Sequence, residues 1–246
     1  MKIKVLGTQS PFNTEGHNCP GFMIENGDKK FLLDCGSGIN SLIKFPEDLK
    51  NLYIIISHLH RDHYTDLFNL LYASFVFKRQ KKISEKINVY LPSTPKLTYE
   101  DIINEKDSFA KFDIITEEKE ILVDNIKITF SKNDHPVETY SVKITDGIQT
   151  IVYTADTSYS SKNKIIKFSK DADILISEAS LLVSHGFPEI CNHLTARQAA
   201  QIAKEANVKK LVLTHFWPEE DLKNYFDEAI KLFNNVIIAK EKMEIE

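Results

Sequence analysis

The chain has 246 residues, of which 42% are hydrophobic and 27% charged. This balance predicts an ordinary soluble globular protein with one large core and does not require two domains. The formal net charge of −4 argues against a general nucleic-acid-binding protein, which would normally be basic. The sequence contains no long uncharged apolar stretch that would predict a membrane span. Its start lacks the apolar segment of a signal peptide. A cytoplasmic location without membrane association is therefore expected. The three cysteines, Cys19, Cys35 and Cys191, are too few and too scattered for a disulfide framework and are expected to be reduced.

The first half of the chain alternates between strand and helix patterns. Apolar residues at every second position predict strands, and apolar residues three and four apart predict helices. A glycine-rich loop, residues 34–38, separates the opening strands from the first predicted helix. In chain order the predicted elements are strands over 2–6, 21–25 and 30–34, a short helix over 39–44, a helix over 66–79, a strand over 87–91 and a helix over 99–109.

The second half repeats the alternation. Asp146-Gly147 predicts a hairpin turn, and Thr195 with Gln198 has the spacing of a helix capping box. The predicted elements are strands within 114–130 and 141–154, a strand over 174–176, a helix over 195–206, a strand over 210–214, a helix over 219–233 and a strand over 235–239. Such a mixed set packs most simply as two sheets face to face with helices outside, within a single domain over 1–246.

A dense cluster of histidines follows the apolar run 51–57, which predicts a buried strand. His58-Leu59-His60-Arg61-Asp62-His63 places three imidazoles and a carboxylate within six residues. These groups suit zinc and similar divalent ions, whereas a packed core has no use for such a cluster. Three further candidate ligands each follow a short apolar or β-branched run, and ligands at the ends of several strands can converge at one edge of a sheet. They are His135, Asp156 and His215.

The pattern H-x-H-x-D-H after a hydrophobic strand resembles the metallo-β-lactamase superfamily. That resemblance implies an α+β fold, the four-layer αββα sandwich, and two divalent metal ions. By resemblance, the first ion is held by His58, His60 and His135, the second by Asp62, His63 and His215, and Asp156 bridges the two. A nitrogen and oxygen ligand set without thiolate suits zinc, and also manganese or iron. Two such cations about 3.5–4 Å apart would share a hydroxide that acts as the nucleophile, and Asp62 could orient the water or accept its proton.

Later motifs resemble ribonuclease Z within that superfamily. Ser177-Glu178-Ala179-Ser180 is similar to its H-E-A-T loop, His193-Leu194-Thr195 to its H-S-T motif, and Leu213-Thr214-His215-Phe216 matches its L-T-H-F. The resemblance implies that His193 protonates the leaving oxygen and that Glu178 orients His193, a pairing suited to general acid catalysis.

Three departures from that family are visible. Ser177 replaces the first histidine of H-E-A-T, and Asp66 stands where many members have glycine. Between His135 and Asp156 there is room only for a hairpin, whereas ribonuclease Z enzymes that process transfer RNA carry a long arm there that grips the tRNA. The chain therefore resembles compact ribonuclease Z-like hydrolases, often called β-lactamase superfamily III, without the tRNA-binding arm.

These motifs favour a dinuclear-metal phosphodiesterase that acts on small or flexible phosphodiesters, including RNA ends. A second hypothesis is a tRNA 3′-processing endoribonuclease in which the basic run Lys78–Lys86 compensates for the missing arm; the same run is also typical of a solvated helix end. A third is a hydrolase of lactones or thioesters in the same metal site, and a fourth is a non-catalytic metal-binding role. The sequence leaves open the substrate, the metal, a homodimer, and the roles of His17 and Cys191.

Overall fold

The computed structural model describes residues 1–186 and 192–246, so Cys191 lies outside the described residues. The chain divides into two compact units. Unit 1 comprises residues 1–115 and 240–246, and unit 2 comprises residues 116–239. Each unit is built on one seven-stranded sheet. Among the described residues, no helix combines the length and apolar character needed to cross a membrane.

Unit 1 contains an antiparallel group of strands followed by a parallel group. Its strands are β1 (Lys2–Gly7), β2 (Gly21–Asn26), β3 (Lys29–Leu33), β4 (Leu52–Ile55), β5 (Ile87–Leu91), β6 (Ala110–Ile114) and a short C-terminal strand, Glu244–Ile245. Its helices are α1 (Arg61–Tyr64), α2 (Leu67–Arg79) and α3 (Lys96–Ile103). The sheet runs from the C-terminal strand through β1 to β6 in chain order. Strands β3 to β6 are parallel, and parallel neighbours require crossover connections. Helices α2 and α3 lie in two of these connections.

The predicted buried face of α2 is confirmed. Leu67, Leu70, Leu71 and Ser74 are all buried, and the three leucines belong to the same apolar cluster as the strand residue Ile54. Apolar residues three and four apart lie on one face of a helix, which is why the sequence pattern located this helix closely.

The predicted helix over 99–109 is wrong in its second half. Helix α3 ends at Ile103, and β6 begins at Ala110. Phe109 is instead held between helix α2 and strand β5, because its backbone N–H donates to Ser74 Oγ at 2.9 Å and its carbonyl accepts from Ile87 N at 3.1 Å. Both partners are distant in sequence, so apolar periodicity alone could not identify them.

Unit 2 has an antiparallel meander that continues into a parallel group. Its strands are β7 (Glu120–Val123), β8 (Ile126–Lys132), β9 (Tyr140–Thr145), β10 (Thr150–Tyr153), β11 (Ile174–Glu178), β12 (Lys210–Thr214) and β13 (Val236–Ile238). Its helices are α4 (Lys162–Ser169), α5 (Ala196–Glu205) and α6 (Leu222–Ala229). Strands β7 to β10 pair antiparallel, and β10 to β13 pair parallel.

Two local predictions in unit 2 are confirmed. The β9–β10 hairpin turns through Asp146 and Gly147, and Gly147 has a φ of +86°, a conformation that glycine adopts without steric cost. Helix α5 begins with the predicted capping box, in which Thr195 and Gln198 exchange side-chain and backbone hydrogen bonds of 3.1 and 2.8 Å.

The predicted helix over 219–233 is shorter than expected, since Asp221 caps its start and it ends at Ala229. Helix α4 was not predicted.

The parallel strands of unit 2 bring polar residues to one edge of its sheet. Strands β10, β11 and β12 are neighbours and run in the same direction, so their carboxyl ends meet at the same edge. Asp156 follows β10, Glu178 closes β11, and His215 follows β12. The carboxyl ends of parallel strands are where ligands commonly bind in such sheets.

Candidate metal centre

In unit 1, the histidine motif lies at the carboxyl end of β4. His58 and His63 are fully buried, with ring centroids 4.0 Å apart. Nε2 of His58 lies 3.2 Å from Nδ1 of His60, and Nε2 of His63 lies 3.5 Å from Oδ2 of Asp62. Several imidazole nitrogens and one carboxylate are therefore close together within this unit, in a buried setting.

A buried carboxylate that the sequence did not single out, Asp34, organises this part of unit 1. Asp34 directly follows β3 and is fully buried. It accepts hydrogen bonds from the backbone N–H of Ser57 at 2.7 Å and from the Ser57 hydroxyl at 2.9 Å. His63 Nδ1 lies 2.8 Å from Asp34 Oδ2, and His58 Nδ1 lies 3.0 Å from the Ser57 hydroxyl. The only signal in the sequence was an acid placed directly after an apolar strand.

Asp66 and His17, both noted in the sequence, also lie in unit 1, as does Ser10, which was not. The Ser10 hydroxyl donates to Oδ2 of Asp62 at 2.7 Å. Asp66 has an ordinary helical φ of −76°, so glycine is not required there, and its carboxylate accepts from the Asn40 backbone N–H at 2.9 Å. The ring of His17 contacts the Glu241 carboxylate at 3.4 Å.

Two cysteines of unit 1 are buried free thiols, as expected. They are Cys19 and Cys35. Burial raises the pKa of the Cys19 thiol to about 12, and the nearby Asp62 carboxylate adds to that shift. Cys19 is therefore protonated near neutral pH, and a thiol is a far poorer metal ligand than a thiolate.

In unit 2, Asp156 lies between two buried imidazoles. Its Oδ1 is 3.0 Å from Nε2 of His215, and its Oδ2 is 3.7 Å from Nε2 of His135. Nδ1 of His135 lies 3.1 Å from the Asn192 carbonyl oxygen, to which it donates. Burial lowers the pKa of His135, although the Asp156 carboxylate opposes that shift. The neutral imidazole that results is the form that binds metals.

His193 differs from these buried groups in its exposure and contacts. Its side chain is 30% exposed, whereas Glu178 beneath it is 1% exposed. Nδ1 of His193 lies 3.1 and 3.2 Å from the two Glu178 oxygens. Donor atoms of His193, Asp156 and His215 all lie within 4.8 Å of one another. The His193 nitrogen near Asp156 is Nδ1, at 3.9 Å. Because Nδ1 already contacts Glu178, Nε2 is the atom suited to exchange a proton with a substrate.

Glu178 also contacts two residues that the sequence did not identify as functional. The Thr157 backbone N–H donates to Oε1 at 2.8 Å, and the Ser180 hydroxyl donates to Oε2 at 2.8 Å. The same Ser180 oxygen lies 2.7 Å from Nδ1 of His215. Ser177, which replaces a histidine of H-E-A-T, directs its hydroxyl to the Glu178 backbone carbonyl at 3.0 Å.

The donor chemistry of each unit fits a divalent metal ion. Imidazole nitrogens and carboxylate oxygens are the preferred ligands of zinc, manganese and iron. Nδ1 contacts a carboxylate, a hydroxyl or a backbone carbonyl in four candidate ligands, which is how proteins usually orient metal-binding histidines. These are His58 and His63 in unit 1 and His135 and His215 in unit 2.

Comparison with known proteins identifies the family. Residues 29–216 match the model described as the beta-lactamase superfamily domain. The chain is 33% identical over 250 residues to the probable metallo-hydrolase YhfI of Bacillus subtilis, covering 98% of this chain and 97% of that protein. The chain belongs to the metallo-β-lactamase superfamily. A crystal structure of the metallo-β-lactamase fold protein YhfI from Bacillus subtilis superposes with a TM-score of 0.91, at 31% identity, over 99% of this chain and 98% of that one.

Other relatives of this superfamily member are ribonuclease Z proteins. The chain is 27% identical to ribonuclease Z of Archaeoglobus fulgidus over 304 residues, covering 100% of this chain and 97% of that protein. The short form of human tRNase Z shares the fold, with a TM-score of 0.75 at 20% identity over 100% of this chain and 99% of that one. The predicted α+β fold class of the metallo-β-lactamase type is confirmed, and the chain is a metallo-hydrolase related to ribonuclease Z. As predicted, only a β-hairpin separates His135 from Asp156.

Proposed function

We propose that this metallo-hydrolase is a dinuclear-metal phosphodiesterase in which both units act as one hydrolase domain over residues 1–246. The match of one family model across residues of both units supports a single domain. The proposed ligands of the first ion are His58, His60 and His135, those of the second are Asp62, His63 and His215, and Asp156 is shared. Zinc suits these ligands, as do manganese and iron. A cytoplasmic location and a homodimer stay predictions.

The contacts within each unit support the proposed catalytic roles. When bound, two divalent cations lower the pKa of water and stabilise the negative charge that develops during hydrolysis. Asp62 orients the attacking water and accepts its proton, and Ser10 holds one Asp62 oxygen in place. Glu178 holds Nδ1 of His193, so that Nε2 donates a proton to the leaving oxygen.

The observation that carries this proposal is the His193–Glu178 pair. A half-buried imidazole is oriented by a fully buried carboxylate, an arrangement that serves general acid catalysis. A nucleotide or sugar alkoxide is a strong base and requires a proton in order to leave. The thiolate of a thioester, with a thiol pKa of about 8.5, leaves without one. The pair therefore favours a phosphodiester over a thioester.

The proposal can be tested with a panel of substrates on the metal-loaded protein. The panel comprises a dinucleotide, an artificial aryl phosphodiester, a lactone and a thioester. We expect the largest kcat/KM for a phosphodiester, because bound metal ions would stabilise the charge that develops on the phosphate and His193 would protonate the leaving oxygen. A lactone or thioester that is hydrolysed faster than either phosphodiester would contradict this assignment.

A second candidate function, processing of RNA 3′ ends, is favoured by a group of cations in unit 1. We call this group the basic cluster: Lys78, Arg79, Lys81, Lys82 and Lys86. All five are exposed, and within the part of the chain that the structure describes none of them forms an ion pair with a carboxylate. Helix α2 has 13 residues, so at 1.5 Å per residue its end lies about 20 Å from its start beside the histidine motif. A substrate that contacts both must be longer than a small phosphodiester.

Neutralising part of the basic cluster tests the second candidate. For the triple variant Lys78→Gln, Lys81→Gln, Lys82→Gln, we expect the slope of log affinity for single-stranded RNA against log salt to fall by about 2, since each lost phosphate contact removes about 0.7. Turnover of the aryl phosphodiester should not change. The matched control is the variant Lys170→Gln, Lys204→Gln, Lys231→Gln, which removes three exposed lysines of unit 2 that, like those of the cluster, form no ion pair with a carboxylate among the described residues. Equal slopes for the two variants would show that RNA does not bind at the cluster.

A further inference from the structure

The two units repeat one hydrogen-bonding arrangement around different histidines. In unit 1, the buried carboxylate of Asp34 contacts the Nδ1 of His63 directly, at 2.8 Å. The same oxygen accepts from the Ser57 hydroxyl at 2.9 Å, and that hydroxyl lies 3.0 Å from the Nδ1 of His58. One carboxylate thus holds one imidazole directly and a second imidazole through a serine.

Unit 2 contains the same arrangement with a glutamate. The buried carboxylate of Glu178 contacts the Nδ1 of His193 directly, at 3.1 Å. It also accepts from the Ser180 hydroxyl at 2.8 Å, and that hydroxyl lies 2.7 Å from the Nδ1 of His215. Ser57, Ser180 and both carboxylates are largely or fully buried, so water competes weakly for these hydrogen bonds.

The donor and acceptor roles in each chain of hydrogen bonds are fixed by the number of hydrogens available. A carboxylate only accepts, and a serine hydroxyl has one hydrogen to donate. Since each serine donates that hydrogen to its carboxylate, it must accept one from the imidazole. His58 and His215 therefore carry their proton on Nδ1, and Nε2 presents the lone pair that a metal requires.

We propose that Ser57 and Ser180 are positioning residues, each of which fixes the tautomer and ring orientation of one metal-binding histidine. This inference rests on the ligand assignment within the proposed function, in which His58 belongs to the first ion and His215 to the second. The two serines therefore act on different ions. Groups that orient metal ligands in this way typically change metal affinity by about 10- to 100-fold when they are removed.

Titration of the metal-free protein with Zn²⁺, against a competing chelator, tests the site-selective effect. Ser57→Ala should lower the affinity for one of the two zinc ions about 10- to 100-fold, and Ser180→Ala should lower the affinity for the other. The double variant should bind both ions weakly. Ser57→Thr and Ser180→Thr keep the hydroxyl and should retain wild-type affinity. Ser177→Ala is the matched control, because this buried serine contacts only the Glu178 backbone carbonyl among the described hydrogen bonds. Unchanged affinity in both alanine variants, or an equal loss in the control, would overturn the proposal.

Nuclear magnetic resonance of the histidine rings gives a second readout that does not depend on metal binding. The wild-type protein should show His58 and His215 protonated on Nδ1, each with a slowly exchanging ring proton. Ser180→Ala should speed the exchange of the His215 proton alone. A wild-type His58 or His215 ring without a proton on Nδ1 would overturn the proposal. Neither readout uses a substrate, so a failure of the phosphodiesterase assignment leaves both results interpretable.

Discussion

Replacing His193 with alanine is expected to slow hydrolysis of a dinucleotide by about 10²- to 10⁴-fold, the usual contribution of a general acid. The reason is that the leaving alkoxide of a dinucleotide is a strong base that needs the His193 proton. An aryl phosphodiester releases a much weaker base, so the same variant should lose far less activity on that substrate. Steady-state kcat on the two substrates measures this difference directly.

Metal content separates this role of His193 from a role as a ligand. Elemental analysis of His193→Ala should give the wild-type amount of bound metal. The matched control is His185→Ala, since His185 is a similarly exposed histidine of unit 2, 27% against 30%, that contacts Glu220 at 3.0 Å rather than Glu178. Equal losses on both phosphodiesters, or a loss of metal in His193→Ala, would rule out proton donation by His193.

The variant Asp156→Asn is expected to lose most of its bound metal and at least about 10³-fold in turnover. Asparagine keeps the shape of the side chain but removes the negative charge that lies between His135 and His215. Bound cations contribute several kcal/mol to the stabilisation of developing charge during hydrolysis, and about 1.4 kcal/mol corresponds to tenfold in rate. Losing the bound cations therefore lowers the rate of hydrolysis by orders of magnitude.

Elemental analysis and kcat, measured on the same sample, check the Asp156 prediction. Circular dichroism should show that Asp156→Asn is folded. The Asp156 side chain lies between two imidazoles rather than in the apolar core, so its replacement leaves the packing of the core unchanged. Asp227→Asn serves as the control, because this acid of unit 2 forms a surface ion pair with Lys223. Full metal content in Asp156→Asn would exclude Asp156 as a shared ligand.

The parts of the molecule that depend on near neighbours in sequence could be predicted. The histidine motif spans six residues, and the capping box of α5 spans four, so their chemistry is visible without the fold. The strand ends before Asp156 and His215 were also visible, because short apolar runs mark buried strands. Within unit 2, the parallel pairing of β10, β11 and β12 then explains why such ends meet.

Most of the contacts that orient the histidines could not be predicted, because they join residues that are distant in sequence. Asp34 is 23 positions from Ser57, and Ser180 is 35 positions from His215. A serine in a strand-end loop has many ordinary uses, so nothing in the sequence distinguishes Ser180 from Ser177. The error at residues 104–109 has the same origin, since the contacts of Phe109 with Ser74 and Ile87 decide that segment's path.

The most direct test of the proposed dinuclear phosphodiesterase activity is a crystal structure of the metal-loaded protein soaked with a nucleotide. The proposal predicts two divalent ions per chain, held by the seven proposed ligands, with a phosphate bridging them. It also predicts that Nε2 of His193 lies within hydrogen-bonding distance of an ester oxygen of that phosphate. A single ion, or a phosphate bound away from His193, would contradict the proposed function.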